Sequence, residues 1–363
     1  MSTFPFKKNW WKYLGALLVI YSIVIGTMTK VGPGVVRVSP SHVDGRYDFE
    51  IDIEGYNTSF TKLDKGKNQK NELTVWVKLG NTFNRANLAD IIDDNHIRCY
   101  FRPIDLIVDS AYSQTGSVVI EDKHHGIFLG PDMIHVDFRP DKDNGLRQLV
   151  NQGEPPYKMQ LSYFSFPYRY ILNETIRNLN FHVPMWFAMM AMLLVSFIFS
   201  IKYLRTRSVS DDIWANGFAK VGLLFGIMGI ATGMFWANYT WGTPWTNDPK
   251  LNGAAVAVLM YIAYQILRSS LEDENLVGRI SAVYNIFAFP IFIVLIIVLP
   301  RMAEFSLHPG AGDSVGFNTY DLDNNLRKVF YPAVLGWILV GTWISQLTVR
   351  VDKLIKQDEE CYG

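Results

Sequence analysis

Six long apolar runs constrain this chain more than any other feature of its sequence. They cover residues 13–28, 184–204, 218–237, 254–267, 280–300 and 331–349 of the 363. A helix of about 20 apolar residues crosses the hydrocarbon core of a bilayer, and most of these runs approach that length. The first and the fourth are short, so their ends are approximate. The sequence therefore predicts a polytopic α-helical membrane protein with six transmembrane helices.

Lysine and arginine cluster beside alternate ends of the predicted spans. These residues are Lys7, Lys8 and Lys12 before the first span; Lys202, Arg205, Arg207 and Lys220 between the second and third; Arg268 and Arg279 around the loop after the fourth; and Arg350, Lys353 and Lys356 after the last. All four clusters fall on one side if every run crosses once, and cytoplasmic loops carry this excess of basic residues. We therefore expect both termini in the cytoplasm and the three remaining connections outside.

The net charge and the first apolar run bear on two questions: whether nucleic acid is a partner, and whether the first run is a signal peptide or a retained anchor. A formal net charge of zero gives no case for a nucleic-acid partner. The first run is short and follows lysines, as in a signal peptide, but no small-x-small cleavage site follows it, so a retained anchor is favoured. The two cysteines, Cys99 and Cys361, are predicted on opposite sides of the membrane and cannot pair with each other.

The segment between the first and second spans alternates apolar and polar residues with period two. The clearest stretches are residues 47–54, 73–79, 97–101, 116–120 and 133–138, separated by turn formers such as Asp44-Gly45 and Gly130-Pro131. Short alternating stretches between turns are typical of half-buried strands. We predict an inserted all-β sandwich of the immunoglobulin-like kind, with one helical turn at residues 87–93.

These patterns divide the chain into five parts. They are a basic N-terminus with the first span (residues 1–30), the β-sandwich (31–160), an aromatic return segment (161–180), a five-helix membrane domain (181–350) with a tryptophan-rich loop at residues 236–250, and a cytoplasmic tail (351–363). The β domain offers no chemistry of its own: adjacent residues His124 and His125 would point to opposite faces of a strand, and His42, His96 and His135 are isolated in the sequence.

Two histidines lie at the predicted outer surface of the membrane domain. His182 comes just before the second span, with Pro184 suited to the first turn of the helix, and His308 lies in the loop before the last span. No ionisable residue lies deep in an apolar run, which argues against a pump or a proton-coupled transporter. Two imidazoles can ligate haem iron, but spacing alone favours two solvated interfacial histidines. Zinc requires further ligands, and none is convincing: Glu304 is a candidate, but a lipid-facing or solvated role is favoured for it.

Three tryptophans, Trp236, Trp241 and Trp245, lie between the third and fourth apolar runs. Tryptophan is enriched at membrane interfaces without any ligand. Here Gly242 and Pro244 also shape the backbone between the rings, so we predict a flat aromatic platform for a flat ligand. Asp248 precedes Pro249 at the start of the fourth span, where a role as helix N-cap is favoured over a catalytic one.

The sequence Trp241-Gly-Thr-Pro-Trp-Thr-Asn-Asp248 resembles the WGxxWxWD signature of the haem-handling superfamily of cytochrome c maturation. His182 and His308 resemble its paired outer histidines, and the order of histidine, tryptophan segment and histidine along the spans agrees. The chain is most similar to the CcmC branch, since the CcmF and CcsA branches have more spans and histidines inside the membrane. Asn247 stands where the family usually has tryptophan, and Lys250 where it has arginine. The large outer domain lies outside the usual pattern.

The resemblance implies a function and a set of roles. Haem b would be held non-covalently with His182 and His308 as axial ligands of the iron. The residues expected to hold the rest of the haem are Trp236, Trp241, Trp245, Asp248 and Lys250, the last as the cation for a propionate. A haem-handling protein of this kind, rather than a classical enzyme, would present haem on the periplasmic side of a bacterial inner membrane.

The resemblance also implies partners. They are a CcmE-like haem chaperone that receives the haem, together with CcmD-like and CcmA/CcmB-like subunits. Two alternatives remain open from the sequence: a haem ligase of the CcsA or CcmF kind, and a membrane-anchored binding or sensory protein that acts through its β domain.

Overall fold

A computed structural model of the chain describes residues 6–63, 73–80, 82–104, 113–138, 164–168, 172–303, 306–308 and 322–362. The chain divides into two compact units. A helical unit comprises Met1–Met28 and Thr175–Gly363, and a β unit comprises Thr29–Glu174.

Six long helices build the helical unit. They are α1 (Phe6–Met28), α2 (Leu179–Thr206), α3 (Val209–Trp241), α4 (Pro249–Ser269), α5 (Glu274–Ile293) and α6 (Asn324–Tyr362). A π-helical turn (Val294–Val298) and a last α-helical turn (Leu299–Met302) extend α5. Six helical segments, one for each of these helices, are long and apolar enough to cross a membrane, which confirms the predicted spans.

Two predicted helix boundaries are wrong near the tryptophans and His182. Helix α3 continues to Trp241, so only the residues from Gly242 onward form the loop that we predicted for residues 236–250. Gly242 ends the helix in the left-handed conformation (φ 75°), which glycine adopts without strain. A 3-10 helix, Asn173–Asn178, runs into α2, so His182 lies within the first turn of α2 and Pro184 deeper in the helix.

A stripe of glycines on α3 brings this helix close to α2. A Cβ atom added to any of the four glycines would come within 3.0 Å of a side chain of α2. Small residues at helical spacing allow such close approach inside a membrane, where packing replaces the hydrophobic effect. The facing pairs are Gly222 with Leu193, Gly226 with Met189, Gly229 with Trp186 and Gly233 with His182. The stripe of glycines therefore ends at His182, one of the two predicted ligands.

Ion pairs gather at the end of α3 opposite Trp236 and Trp241. Asp212 pairs with Arg268 at 2.7 Å, and Lys220 pairs with Asp352 at 2.9 Å. Asp211 accepts a hydrogen bond from Lys202 at 2.8 Å. Several members of the basic clusters therefore tie helices together at this end of the bundle.

Asn285 links three helices through hydrogen bonds inside the bundle. Its side-chain amide donates to Ser196 Oγ at 2.8 Å and to Ser200 Oγ at 2.9 Å, and its oxygen accepts from Tyr261 at 3.2 Å. Hydrogen bonds of this kind between helices stabilise membrane bundles modestly.

Nine strands build the β unit. They are β1 (Gly34–Ser39), β2 (His42–Asp44), β3 (Phe49–Tyr56), β4 (Leu73–Leu79), β5 (Thr82–Arg85), β6 (Leu88–Ile91), β7 (His96–Phe101), β8 (Ser113–Asp122) and β9 (Gly126–Asp137). One sheet has the order β1-β3-β7-β6 and the other β2-β9-β8-β4-β5. Inward residues of both sheets, such as Ile53, Ile97, Val77 and Val118, share one buried core. This confirms the sandwich, while its immunoglobulin-like character stays a prediction.

The predicted strands are confirmed, whereas the predicted helical turn is wrong. All five alternating stretches lie on strands, since alternation places every second side chain in the shared core. The helical turn predicted at residues 87–93 is wrong, because Leu88–Ile91 forms β6 and pairs with β7. The predicted return segment is described only in part, and there Phe166 is fully buried beside Val31 within the β unit.

The histidines of the β unit form a pair but not a metal site. Parallel pairing of β2 with β9 places His42 opposite His135, with ring centroids 4.7 Å apart, although the two are isolated in the sequence. His124 and His125 follow β8, where Asp122 accepts both backbone amides. Among the described residues, no three His, Cys, Asp or Glu side chains are grouped to hold a metal ion.

Candidate functional site

The rings of Trp236, Trp241 and His308 meet at the Trp241 end of α3. The His308 ring lies 5.0 Å from Trp241 at 75° and 5.5 Å from Trp236 at 44°, measured between centroids and ring planes. The two indoles lie 4.8 Å apart at 73°. Edge-to-face contacts of this kind are favoured by the aromatic quadrupole. The three rings form what we call the aromatic corner.

The aromatic corner differs from the flat platform that the sequence predicted. Trp236 and Trp241 both belong to α3, and each residue of an α-helix turns about 100° around the axis. Their side chains therefore leave the helix in different directions, and their planes meet at a steep angle. The structure brings Trp236 and Trp241 together with His308. Trp245 is 37% exposed and makes no ring contact in the part of the chain described.

Asp248 connects the start of α4 to the segment that carries His308. Its carboxylate accepts the Lys250 amide at 2.9 Å, which confirms the predicted N-cap. The other oxygen accepts from Ser306 Oγ and from the Leu307 amide, both at 2.8 Å. Burial raises the pKa of Asp248, but the hydrogen bonds from Ser306, Leu307 and Lys250 outweigh it and hold the pKa below its usual value. A buried, ionised carboxylate therefore holds the two segments together.

The same carboxylate faces the imidazole of His308. His308 Nδ1 lies 3.5 Å from Asp248 Oδ1, and the His308 side chain is 12% exposed. Burial, and then the positive charge of Lys250, lower the pKa of His308 to about 3 against the opposing effect of Asp248. The ring is therefore neutral at pH 7. Its single proton belongs on Nδ1, beside the carboxylate, so Nε2 keeps the lone pair that ligates a metal.

His182 also has its Nδ1 beside a hydrogen-bond acceptor. Its Nδ1 lies 3.0 Å from the carbonyl oxygen of Gly229 and 3.2 Å from Thr232 Oγ1. A carbonyl oxygen only accepts, so Nδ1 donates to it, and in the neutral ring Nε2 keeps its lone pair. Gly233 leaves room for the ring, because a Cβ atom there would lie 2.8 Å from His182 Cε1.

Both histidines lie along one face of α3. His182 packs at Gly233, while His308 contacts Trp236 three residues further along the same helix. Each residue of an α-helix rises 1.5 Å, so these contacts are about 4.5 Å apart along the axis. The charge of Lys250, at the start of α4, acts on the same place. The sequence-predicted ligands and their cationic neighbour thus converge at one end of the bundle.

Sequence reasoning missed the residues that support the ligands. Gly229 supplies the acceptor for His182, Gly233 supplies its space, and Ser306 ties the His308 segment to Asp248. The glycines had a readable signal, since Gly222, Gly226, Gly229 and Gly233 recur at helical spacing. Ser306 had none, because its role depends on a contact with a distant part of the chain.

The donor set suits haem iron better than zinc. Two imidazoles, each with Nδ1 beside an acceptor, offer their Nε2 atoms as two nitrogen ligands, and indole rings lie beside one of them. The buried Nδ1 of His308 lacks a full hydrogen bond, so the ring is not locked in its present place. Zinc would require a third and a fourth ligand. The candidate Glu304 lies outside the described residues.

Comparisons with known proteins point to one family. Residues 169–305 match the family model described as cytochrome C assembly protein, which includes every predicted site residue except His308. Heme exporter protein C of Rhodobacter capsulatus is 25% identical over 182 residues, covering 48% of this chain and 69% of the relative. Heme exporter protein C of Paracoccus denitrificans is 27% identical over 129 residues, 34% of this chain and 54% of the relative.

A second group of relatives carries another name. Cytochrome c biogenesis protein CcsA of Pelargonium hortorum is 34% identical over 92 residues, which is 25% of this chain and 29% of the relative. The chain therefore spans less than two thirds of the length of two of these three relatives.

Proposed function

We propose that this chain, whose membrane-spanning part is a cytochrome c assembly protein of the CcmC and CcsA type, binds haem b non-covalently at the outer end of its helical bundle and presents it for transfer. His182 and His308 would ligate the iron, Trp236 and Trp241 would lie against the macrocycle, and Lys250 would pair with a propionate. The observation that carries the proposal is the matched placement of the two imidazoles, each with Nδ1 beside an acceptor.

The residues around the two proposed iron ligands have different roles in binding. The Gly229 carbonyl and the Asp248 carboxylate orient the two imidazoles. An acceptor beside the nitrogen that does not bind the metal fixes the tautomer of a histidine ligand and raises its basicity. The aromatic corner adds apolar surface that keeps water from the ligand nitrogen of His308. Haem bound here supplies a ring edge that a maturation system can attach to a protein.

Charge distribution supports an outward orientation of this site. The ion-paired Lys202 and Lys220 lie toward the Val209 end of α3, whereas the aromatic corner lies at its Trp241 end. Basic ends face the cytoplasm. We propose that the site faces the periplasm of a bacterial inner membrane. Its partners there would be a CcmE-like chaperone and CcmD-like and CcmA/CcmB-like subunits, in keeping with relatives named heme exporter protein C.

The absorption spectrum of the purified full-length protein tests the proposal. We expect a low-spin, bis-histidine b-type spectrum in the wild type. His182→Ala or His308→Ala should convert it to a form with one protein ligand, and the double variant should lose most haem. His135→Ala, which removes a histidine of the β unit, is the matched control and should leave the spectrum unchanged. An intact spectrum in the double variant would refute the proposal.

Similarity to proteins named CcsA supports a second candidate, a ligase that itself joins haem to a cytochrome. By resemblance, such ligases carry further histidines inside the membrane. Among the described residues of the spans, His182 is the sole histidine, and it lies near a helix end. One assay distinguishes the two candidate functions. A ligase would mature a cytochrome c when expressed without any haem chaperone, whereas a presenting protein would not.

A further inference from the structure

The last part of the fifth span contains a π-helical turn. Regular α-helix ends at Ile293, Val294–Val298 forms the π turn, and α-helix resumes at Leu299. The backbone N–H of Leu299 bonds to the carbonyl of Val294, five residues earlier, instead of the usual four. Single π turns are rare and are frequent at functional sites. This one lies in the span that leads to His308.

Pro300 explains why the α-helical ladder fails here. The carbonyl of Leu295 would accept from Leu299 in an α-helix or from residue 300 in a π turn. Leu299 donates to Val294 instead, and Pro300 has no N–H to give. The Leu295 carbonyl is therefore left outside the ladder. The extra residue also rotates everything that follows by about 100° around the helix axis.

The displaced carbonyl has a matching gap in α4. A Cβ atom added to Gly253 would lie 2.6 Å from Leu295 O and 3.4 Å from Leu295 C. Both are backbone atoms, which cannot move aside as a flexible side chain does. Gly253 is buried in the second turn of α4, the helix that begins at the Asp248 cap. The π turn therefore fits against α4 only because residue 253 has no side chain.

Two contacts with α4 or its cap precede His308 along the chain. At one, Leu295 packs on Gly253; at the other, Ser306 and Leu307 donate to Asp248. We infer that Pro300 and Gly253 are positioning residues for His308: together they set the direction in which the fifth span ends, and so deliver the imidazole between Trp236 and Trp241. The consequence for haem ligation rests on the proposed function, whereas the consequence for the placement of His308 does not.

Two variants and two readouts test the inference in the full-length protein. Pro300→Ala restores an amide donor and so allows the α-helical register to return. Gly253→Ala fills the gap from the other side. In both we expect roughly tenfold weaker haem retention, the scale of losses seen when the support of a metal ligand is removed. We also expect a shift of the remaining haem to a high-spin form, which added imidazole should return to low spin.

A haem-free readout separates the inference from the proposed function. Modification of His308 by diethyl pyrocarbonate, mapped by mass spectrometry, should be slow in the wild type and several-fold faster in both variants. Gly217→Ala is the matched control, because its Cβ would lie 2.6 Å from Val349 Cγ2 at the other end of α3. It should change neither readout.

The outcomes for the proposed function and for the positioning role can be told apart. A wild type without haem, combined with faster His308 modification in the variants, overturns the proposed function and leaves the positioning role standing. Wild-type modification rates in both Pro300→Ala and Gly253→Ala overturn the positioning role, whatever the haem content.

Discussion

The helical unit and the β unit differ in how their histidines acquire partners. In the helical unit, His182 and His308 each face a buried acceptor from another segment, and glycines or tryptophans enclose the rings. In the β unit, strand pairing brings His42 and His135 together on a sheet face, where His42 is exposed. Proximity of imidazoles is thus common to both units. In the helical unit the rings are also enclosed and face acceptors, which favours ligation.

The two units also differ in what the comparisons cover. The matched residues 169–305 lie almost wholly within the helical unit, whereas the β unit is held by a core of its own. A domain with its own core can be altered without changing a site elsewhere in the chain. The following variants are chosen to break or sharpen this separation, beginning with the largest expected effect.

Asp248→Ala should have the largest effect, because it removes a capping group and two bonds to the His308 segment at once. Loss of an N-cap costs about 1 kcal/mol, and hydrogen bonds to a charged group contribute about 1.5–3 kcal/mol each. We expect a total near 3 kcal/mol, since such losses do not add fully, together with loss of low-spin haem. Thermal unfolding and absorption spectra measure the two.

Asp273→Ala is the control for Asp248→Ala. Asp273 caps α5 through the amides of Asn275 and Leu276, at the other end of the bundle. It should cost the cap alone and leave the haem spectrum intact. If Asp248→Ala behaves no worse than Asp273→Ala, the link between α4 and the His308 segment has no functional weight.

Ile53→Ala should destabilise the β unit alone. Ile53 is fully buried in the sandwich core, and removing such a side chain costs about 2–5 kcal/mol. We expect earlier proteolysis of the β unit with unchanged haem content. Leu88→Ala, at a side chain that is 46% exposed, is the control and should change little. Parallel loss of haem in Ile53→Ala would show that the two units are not energetically separate.

Gly233→Ala should act on His182 with a smaller cost in stability. The added methyl group would meet the imidazole at 2.8 Å, and overpacking of this kind costs about 1–3 kcal/mol. We expect a weaker His182 ligand and a partial shift to high-spin haem. Gly222→Ala on the same stripe meets Leu193 at 2.7 Å and should cost similar stability without any spectral change. Equal spectra in the two variants would remove the special role of Gly233.

Local patterns predicted the elements of this fold, and they failed where distant segments decide the geometry. Six apolar runs and five alternating stretches each describe a local period, and each lies on the predicted element. The tryptophan loop was misjudged because Trp236 and Trp241 are compatible with both a loop and a helix end. The partners of Asp248 and the packing of the π turn on Gly253 arise from contacts between segments distant in sequence, which no local pattern encodes.

Cys99 offers the smallest change and the sharpest test of how closed the β core is. The thiol is fully buried between the two sheets, and burial raises its pKa. An unfolded chain ionises this thiol above pH of about 8.5, whereas the folded β unit keeps it protonated. The residue therefore lowers the stability of the β unit as pH rises past that value.

In a Cys361→Ser background, we accordingly expect alkylation of Cys99 by iodoacetamide to be negligible in native protein at pH 8 and complete in denaturant. Ile53→Ala should accelerate native labelling, because it opens the same core, whereas Asp248→Ala should not. Rapid labelling in the Asp248→Ala variant would mean that damage at the proposed haem site reaches the sandwich, and the separation of the two units would then fail at its most sensitive point.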